Sequence, residues 1–261
     1  MTRRRWIADI VSGNSAALVG EHAVHLIRVL RAEVGQEFDI ATGAEVRLGT
    51  IVSICPDRVE FALGTGQMVK PFPKITLALA VFKFDRMEWA IEKCTEIGVG
   101  RIIPVIARRT GTHLAGAAAK RHERWQRIVR QASEQSRRSG PPEITAPVKL
   151  KDVDGALPEA TATRIVLAES LVEAEKARLG EMLEARVFPE RETGLAPSLK
   201  TEATQSPAEV ALAVGPEGGW VDDELAWFRA AGWVAASLGN TILRAETAAI
   251  VATALALEIL R

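Results

Sequence analysis

Val210-Ala211-Leu212-Ala213-Val214 runs without a polar residue into Gly215-Pro216-Glu217-Gly218-Gly219, and a second glycine-marked stretch follows it, Leu238-Gly239-Asn240-Thr241-Ile242-Leu243-Arg244-Ala245-Glu246-Thr247-Ala248. The first run reads as a strand, and both glycine stretches read as loops at strand ends. Glycine lets a backbone adopt positive φ and approach a ligand closely, and an open parallel sheet binds its ligand beyond the carboxyl ends of its strands. Together the two loops point to a small polar molecule held by main chain.

Outward from these loops, strand and helix signals alternate. Ile75, Leu77, Leu79 and Val81 alternate with small residues as a strand. Asp85 then reads as the cap of a helix carrying Met87, Ala90, Ile91, Cys94 and Ile97 at helical spacing, with Glu88 completing a capping box. A strand is expected over 102–106, a helix over 120–138, a strand over 165–168, a helix over 172–185 and the strand that ends at Val214. A helix over 222–231, a strand over 234–238 and a helix over 245–260 complete the series. Such alternation argues for an α/β fold with a mostly parallel sheet covered on both faces. Before it, residues 5–69 read as a small β-rich unit with turns at Gly35, Gly43, Gly49, Gly64 and Gly66 and one helical stretch over 21–30. The prolines of Met68-Val69-Lys70-Pro71-Phe72-Pro73 mark a linker, so the expected domains are 1–70 and 74–261. The Pro, Gly, Ser and Thr of 187–207 suggest a long surface loop.

The 261 residues carry 33 Lys and Arg against 33 Asp and Glu. This balance hides a basic stretch: between Arg101 and Gly140, Arg101, Arg108, Arg109, Lys120, Arg121, Arg124, Arg127, Arg130, Arg137 and Arg138 face only Glu123 and Glu134. Cys55 and Cys94 are too few for a disulfide framework or a thiolate metal site, and a reducing cytoplasm is expected. The basic start, Met1-Thr2-Arg3-Arg4-Arg5, lacks the apolar region of a signal peptide behind it, and the apolar run at 248–260 is too short to span a bilayer.

On the helix over 120–138, Trp125, Ile128, Val129 and Ala132 share one face, while Arg127, Arg130, Arg137 and Arg138 collect opposite. Two readings stay open: a solvated face with distant acidic partners, or a surface whose guanidinium forks contact phosphates. The 215–219 turn is equally open, as a tight chain reversal or a ligand loop. No Gly-Lys-Ser/Thr follows it and no Gly-x-Gly-x-x-Gly opens the α/β region, which counts against nucleoside triphosphate hydrolysis and dinucleotide binding. Glu217 and Glu246 sit inside the two loops, and Glu246 also suits a helix first turn. His22 and His25 lack the partners of a metal site, and no metal is expected.

These pieces match a known pattern. Val214-Gly215-Pro216-Glu217-Gly218-Gly219-Trp220 with Leu238-Gly239-x-x-Ile242-Leu243-Arg244-Ala245-Glu246-Thr247-Ala248 closely resembles the signature of the 16S rRNA uridine-N3 methyltransferases, the RsmE family of the SPOUT class. His25-Leu26-x-Arg28-Val29-Leu30-Arg31 with Gly35 resembles that family's N-terminal PUA-like RNA-binding domain. Lys83-x-x-Arg86-Met87-Glu88-Trp89, Lys93-x-Thr95-Glu96-Ile97-Gly98-Val99 and Pro104 through Arg109 resemble its first α/β motif. Arg124-Trp125, Ala132, Glu134-Gln135-Ser136 and Arg138 resemble its central helix. Two departures are a longer 187–207 loop and Asn240, where proline or a basic residue is common; neither removes a motif.

The resemblance implies a trefoil-knotted domain that wraps S-adenosyl-L-methionine, in a homodimer acting on 16S rRNA of the small ribosomal subunit. The implied cofactor residues are Gly215, Pro216, Glu217, Gly218, Gly219, Leu238, Gly239, Ile242, Leu243 and Arg244. N3 of uracil carries a proton that must be removed or its anion stabilised. Arg244 is assigned to the uracil oxygens or a nearby phosphate, with Glu217 and Glu246 as candidate bases. The expected RNA contacts are Arg28, Arg31, Arg86, Arg109, Arg127, Arg130, Arg137 and Arg138, with Trp6, Phe84, Trp89 and Trp220 as stacking candidates. Methylation of a ribose 2′-hydroxyl or a tRNA base, or a non-catalytic role in ribosome assembly, remain competing readings at this point.

Overall fold

The computed structural model describes residues 5–69, 74–168, 177–187 and 209–260. Their contacts form two units: one holds the described residues up to 69 together with Arg130–Pro141, and the other holds the remainder. No helix among the described residues is long and apolar enough to cross a membrane.

The first unit is built from β1 (Arg5–Ile7), β2 (Ile10–Ser12), β3 (Ser15–Val19), α1 (Glu21–Arg28), β4 (Glu37–Ala41), β5 (Glu45–Cys55) and β6 (Arg58–Met68). The strands form one six-stranded sheet in the order β1-β4-β5-β6-β3-β2, antiparallel except where β1 joins β4. Leu18, Leu26, Ile40, Ile51, Val59 and Phe61 are fully or almost fully buried in its core. Gly49, Gly64 and Gly66 do not make turns, as the sequence suggests, but lie inside β5 and β6. At Gly49 the reason is a close approach: a Cβ there would collide with the Ile40 side chain on the neighbouring strand.

The second unit contains β7 (Lys74–Ala80), α2 (Phe84–Ile97), β8 (Arg101–Ile106), α3 (Thr112–Gln135, whose last residues belong to the first unit), β9 (Glu143–Ile144), β10 (Val148–Lys149) and α4 (Val153–Ala156). It continues with β11 (Thr161–Leu167), α5 (Leu179–Val187), β12 (Glu209–Val214), α6 (Asp222–Ala230), β13 (Val234–Ala236) and α7 (Ala245–Leu260). The sheet runs β10-β8-β7-β12-β11-β13 with β9 beside β8, and every pairing among these strands is parallel.

Strand alternation sends successive side chains to opposite faces, which divides this core in two. Ile75, Leu77 and Leu79 of β7 and Val210, Leu212 and Val214 of β12 pack with Met87, Ile91, Ala249 and Ala252 of α2 and α7. Ala78, Ala80, Ala211 and Ala213 face the other way, toward Trp220, Leu225, Phe228 and Trp233. All six residues of β12 are buried, as expected of a central parallel strand covered on both sides.

Three local expectations are corrected. Helix α2 starts at Phe84, one residue before Asp85, and Lys83 occupies the cap position without a side-chain bond. Glu88 makes no capping box; its carboxylate accepts hydrogen bonds from Arg124 at 2.7 Å and Arg121 at 3.3 Å. The long basic helix starts at Thr112, earlier than its charges suggest, and it ends at Gln135, just before Arg137 takes a left-handed φ of 57° that stops it. The helix expected over 172–185 is seen from Leu179 to Val187; residues 169–176, the 187–207 loop beyond Val187 and linker residues 70–73 lie outside the described residues.

Arg130 closes an ionic network within the first unit. Its guanidinium donates to the Ile7 carbonyl at 2.9 Å and lies 2.8 Å from Asp9 Oδ1, while Asp9 Oδ2 accepts the Val19 amide at 2.9 Å and stands 3.3 Å from His22 Nδ1. Burial pushes the Asp9 carboxyl up, but the bonds from His22 and Val19 and the Arg130 charge outweigh it and hold the group below its ordinary 3.8. A depressed carboxylate stabilises the fold above its unfolded value and loses that contribution as pH falls through the folded value. Asp9→Asn is therefore expected to lower the unfolding free energy by about 1 to 3 kcal/mol at neutral pH. Urea titrations at stepped pH should show the gap from wild type shrinking below about pH 4.

Candidate cofactor and active site

The carboxyl ends of β11, β12 and β13 lie side by side in the sheet, and the chain leaves β12 and β13 as irregular segments. β12 opens into Gly215–Val221, in which the Gly219 amide bonds back to the Pro216 carbonyl at 2.8 Å before α6 begins. β13 opens into Ser237–Arg244, which leads into α7. Between these segments is a cavity of about 300 Å³. Nine of the ten implied cofactor residues line it, Gly215, Pro216, Glu217, Gly218, Gly219, Leu238, Gly239, Ile242 and Leu243, and Arg244 does not.

Glycine is required here by geometry. Gly239 has φ of 124°, which a residue with a side chain rarely adopts, and a Cβ on Gly218 would stand 3.1 Å from Arg109 Cδ. The glycines share the wall with Leu238, Ile242 and Leu243 of the second loop, and Leu167, Ala168, Val214 and Ala245 add apolar residues. The buried Trp220 lines the same space, and its Nε1 has no hydrogen-bond partner. A cavity lined by glycine loops, apolar residues and a few polar ones, with an indole N–H that has no partner, suits an adenosine-bearing molecule, whose planar base needs apolar walls and whose edges need a few donors and acceptors.

Arg86 organises the acids around the loops. Its Nη1 is 3.6 Å from Glu217 Oε1 and its Nε is 3.9 Å from Glu246 Oε1, so one guanidinium from α2 holds one carboxylate of each glycine loop region. Glu217 is partly exposed and lines the cavity. Glu246 is buried in the first turn of α7, its Oε2 has no hydrogen-bond partner, and it does not line the cavity. Arg244 is exposed just before α7, where its carbonyl accepts the Ala248 amide at 2.8 Å. Its side chain makes no hydrogen bond or ion pair with another described residue.

The other arginines separate by environment. Arg109 lines the cavity and its guanidinium donates to the Gly218 carbonyl. Arg130 is held in its network, and Arg138 is buried beyond the end of α3, where burial lowers it to about 10. Arg28, Arg31, Arg127 and Arg137 have exposed side chains. Of the stacking candidates, Trp6 and Trp220 are core residues, Phe84 is partly buried under the Arg121 guanidinium 4.7 Å from its ring, and Trp89 is half exposed.

One residue that the sequence reading passes over secures the loop. Glu224 is buried; its carboxylate accepts the Val221 amide at 2.9 Å and the Arg108 amide at 2.7 Å, tying the start of α6 to the segment after β8. The acid-rich first turn Asp222-Asp223-Glu224 signals a helix start, but nothing local marks its partner 116 residues away.

Residues 69–257 match the family model of an RNA methyltransferase domain. A ribosomal RNA small subunit methyltransferase E from Synechocystis sp. is 34% identical over 88% of this chain and 68% of its own length. Its namesake from Mycobacterium bovis is 32% identical over 92% of this chain and 85% of its own. Among solved structures, a candidate methyltransferase from Legionella pneumophila in complex with bound SAM is 27% identical, with a TM-score of 0.74 covering 100% of this chain and 97% of its own. The Neisseria gonorrhoeae methyltransferase E bound to S-adenosyl methionine shares the fold, with a TM-score of 0.74 at 24% identity over 97% and 96%. With a family model across most of its length and relatives matched along nearly all of it, the chain belongs to the ribosomal RNA small subunit methyltransferase E family of RNA methyltransferases.

Proposed function

We propose that this protein methylates N3 of a uridine in 16S rRNA of the small ribosomal subunit, using S-adenosylmethionine held at the ends of β11, β12 and β13. The observation that carries this is the cavity that the two glycine loops line together, in a chain of this family. The family resemblance also supports a trefoil knot in these loops, a PUA-like first unit, a homodimer and a cytoplasmic setting.

S-adenosylmethionine supplies a methyl group already activated on a sulfonium, so the protein's work is to position the acceptor and manage its proton. Main chain of 215–219 and 238–243 holds the cofactor, with Trp220 and the glycines shaping the slot. Arg86 fixes both loops by pairing with Glu217 and Glu246, and Glu246 acts through that pair, as a positioning residue. Glu217 is the carboxylate at the cavity and the candidate to accept the N3 proton. The exposure of Arg244 beside the second loop, with no side-chain partner among the described residues, supports a role in neutralising the charge that develops on the uracil oxygens.

The reading favours an extruded or unpaired uridine, since pairing would hide N3. Arg28, Arg31, Arg127 and Arg137 are exposed and suit the RNA backbone. Arg86, Arg109 and Arg130 are committed to partners within the protein, and Arg138 is buried.

Three measurements test this. Incubation with isotopically labelled S-adenosylmethionine and small subunits lacking the modification should place label in 3-methyluridine; label in another nucleoside refutes the N3 assignment, and none refutes the activity. Arg244→Ala should lower kcat at least about tenfold with RNA affinity little changed, because the lost interaction forms in the transition state. Replacing Arg28, Arg31 and Arg127 with Glu should weaken RNA binding and flatten its dependence on salt, and an unchanged slope rules those contacts out.

A further inference from the structure

The first unit contains a second cavity, about 500 Å³, that no step of the methyl transfer uses. Its aromatic wall is Trp6 of β1 and His25 of α1, with ring centroids 5.8 Å apart and planes tilted by 58°. Opposite chemistry comes from one stripe of α3, where Gln131 and Glu134 both line the cavity. Arg5 and Arg137 line it too, joined by a 2.5 Å hydrogen bond from Arg5 Nη1 to the Arg137 carbonyl.

Two polar atoms here are buried without a hydrogen-bond partner, Glu134 Oε1 and Arg5 Nε. The Glu134 oxygen has only loose ionic neighbours, Arg130 Nε at 3.5 Å and His22 Nε2 at 3.9 Å. A buried carboxylate oxygen without a donor costs free energy unless something supplies one. An aromatic wall, a hungry carboxylate acceptor, a side-chain amide and two guanidinium groups together match the parts of a nucleotide: a π-face, N–H donors on a base edge, and a phosphate.

We propose that this cavity binds one unpaired nucleotide of the substrate RNA, and that the base is one bearing an amino group. The base packs on Trp6 and His25, its exocyclic amino group donates to Glu134, Gln131 meets the neighbouring edge atom, and Arg5 and Arg137 take the phosphate. Carboxylates pair with amino donors on bases, whereas uracil presents carbonyl oxygens at the same positions, which a carboxylate repels. The nucleotide held here is therefore distinct from the uridine that is methylated. The inference rests on the reading that RNA is the substrate, and gives the first unit a base-reading role beyond phosphate contact.

The test is NMR titration of the full-length protein with guanosine, cytidine and uridine 5′-monophosphates and with ribose 5-phosphate, following the Trp6 indole N–H signal assigned through Trp6→Phe. Guanosine and cytidine monophosphates should shift the signal saturably, and uridine monophosphate should bind at least about tenfold more weakly. Glu134→Gln, nearly isosteric, should erase that preference while leaving S-adenosylmethionine binding unchanged; Gln131→Leu should weaken binding of the amino-bearing nucleotides if Glu134→Gln proves unfolded by circular dichroism. No shift with any nucleotide, or equal affinity for ribose 5-phosphate, overturns the proposal. Run beside these, the labelled methylation assay separates the two ideas: methylation with an unresponsive Trp6 sinks only the nucleotide pocket, while absence of methylation and of S-adenosylmethionine binding sinks the enzymatic reading itself.

Discussion

β12 is hydrogen-bonded along both edges, to β7 and β11, and covered on both faces, so its backbone and side chains are fully committed from Glu209 to Val214. A strand so enclosed has only its carboxyl end open to a ligand. The backbone polar groups of the segment that follows have no ladder to join, and the two glycine loops line a shared cavity. The chemistry of this protein depends on that constraint: the rigid layer of parallel strands fixes where main chain is exposed, and the loops inherit their positions from it.

Electrostatics then tie the loops to the helices. A single guanidinium, Arg86, stands between Glu217 and Glu246, and a single carboxylate, Glu224, takes amides from Val221 and Arg108. Both groups are part of the scaffold of the cavity, and each joins segments far apart in the chain. Ionic contacts at 3.6 and 3.9 Å with a partly exposed arginine are individually weak, so their value lies in fixing orientation more than in stability. The division leaves Arg244 as the basic side chain beside the second loop without a described partner, suited to meet a substrate.

The first unit uses its charges differently. Asp9, His22, Arg130 and Glu134 crowd into one partly buried group, in which Asp9 is held low while burial raises Glu134 against the opposing pull of His22 and Arg130. The same α3 segment therefore seals this unit through Arg130 and presents Gln131 and Glu134 to its cavity. The two roles share one helix because adjacent residues such as Arg130 and Gln131 point in different directions, while Gln131 and Glu134, three apart, lie on one face.

The sequence by itself determined whatever is local. The apolar run at 210–214, the helical spacing of Met87, Ala90, Ile91 and Cys94, the α7 span and the two glycine loops are all legible, because period and glycine chemistry are written in adjacent residues. The apolar face of α3 through Trp125, Val129 and Ala132 is legible for the same reason. Tertiary structure decided what depends on partners distant in the chain. Glu88 left its expected capping role for Arg124, Gly49 was set by the Ile40 side chain across the sheet, and the supposed arginine face lost Arg138 to burial and Arg130 to Asp9. A charge pattern counts which side chains share a helix face, but the partner each one takes is settled by packing between elements, which no short-range period encodes.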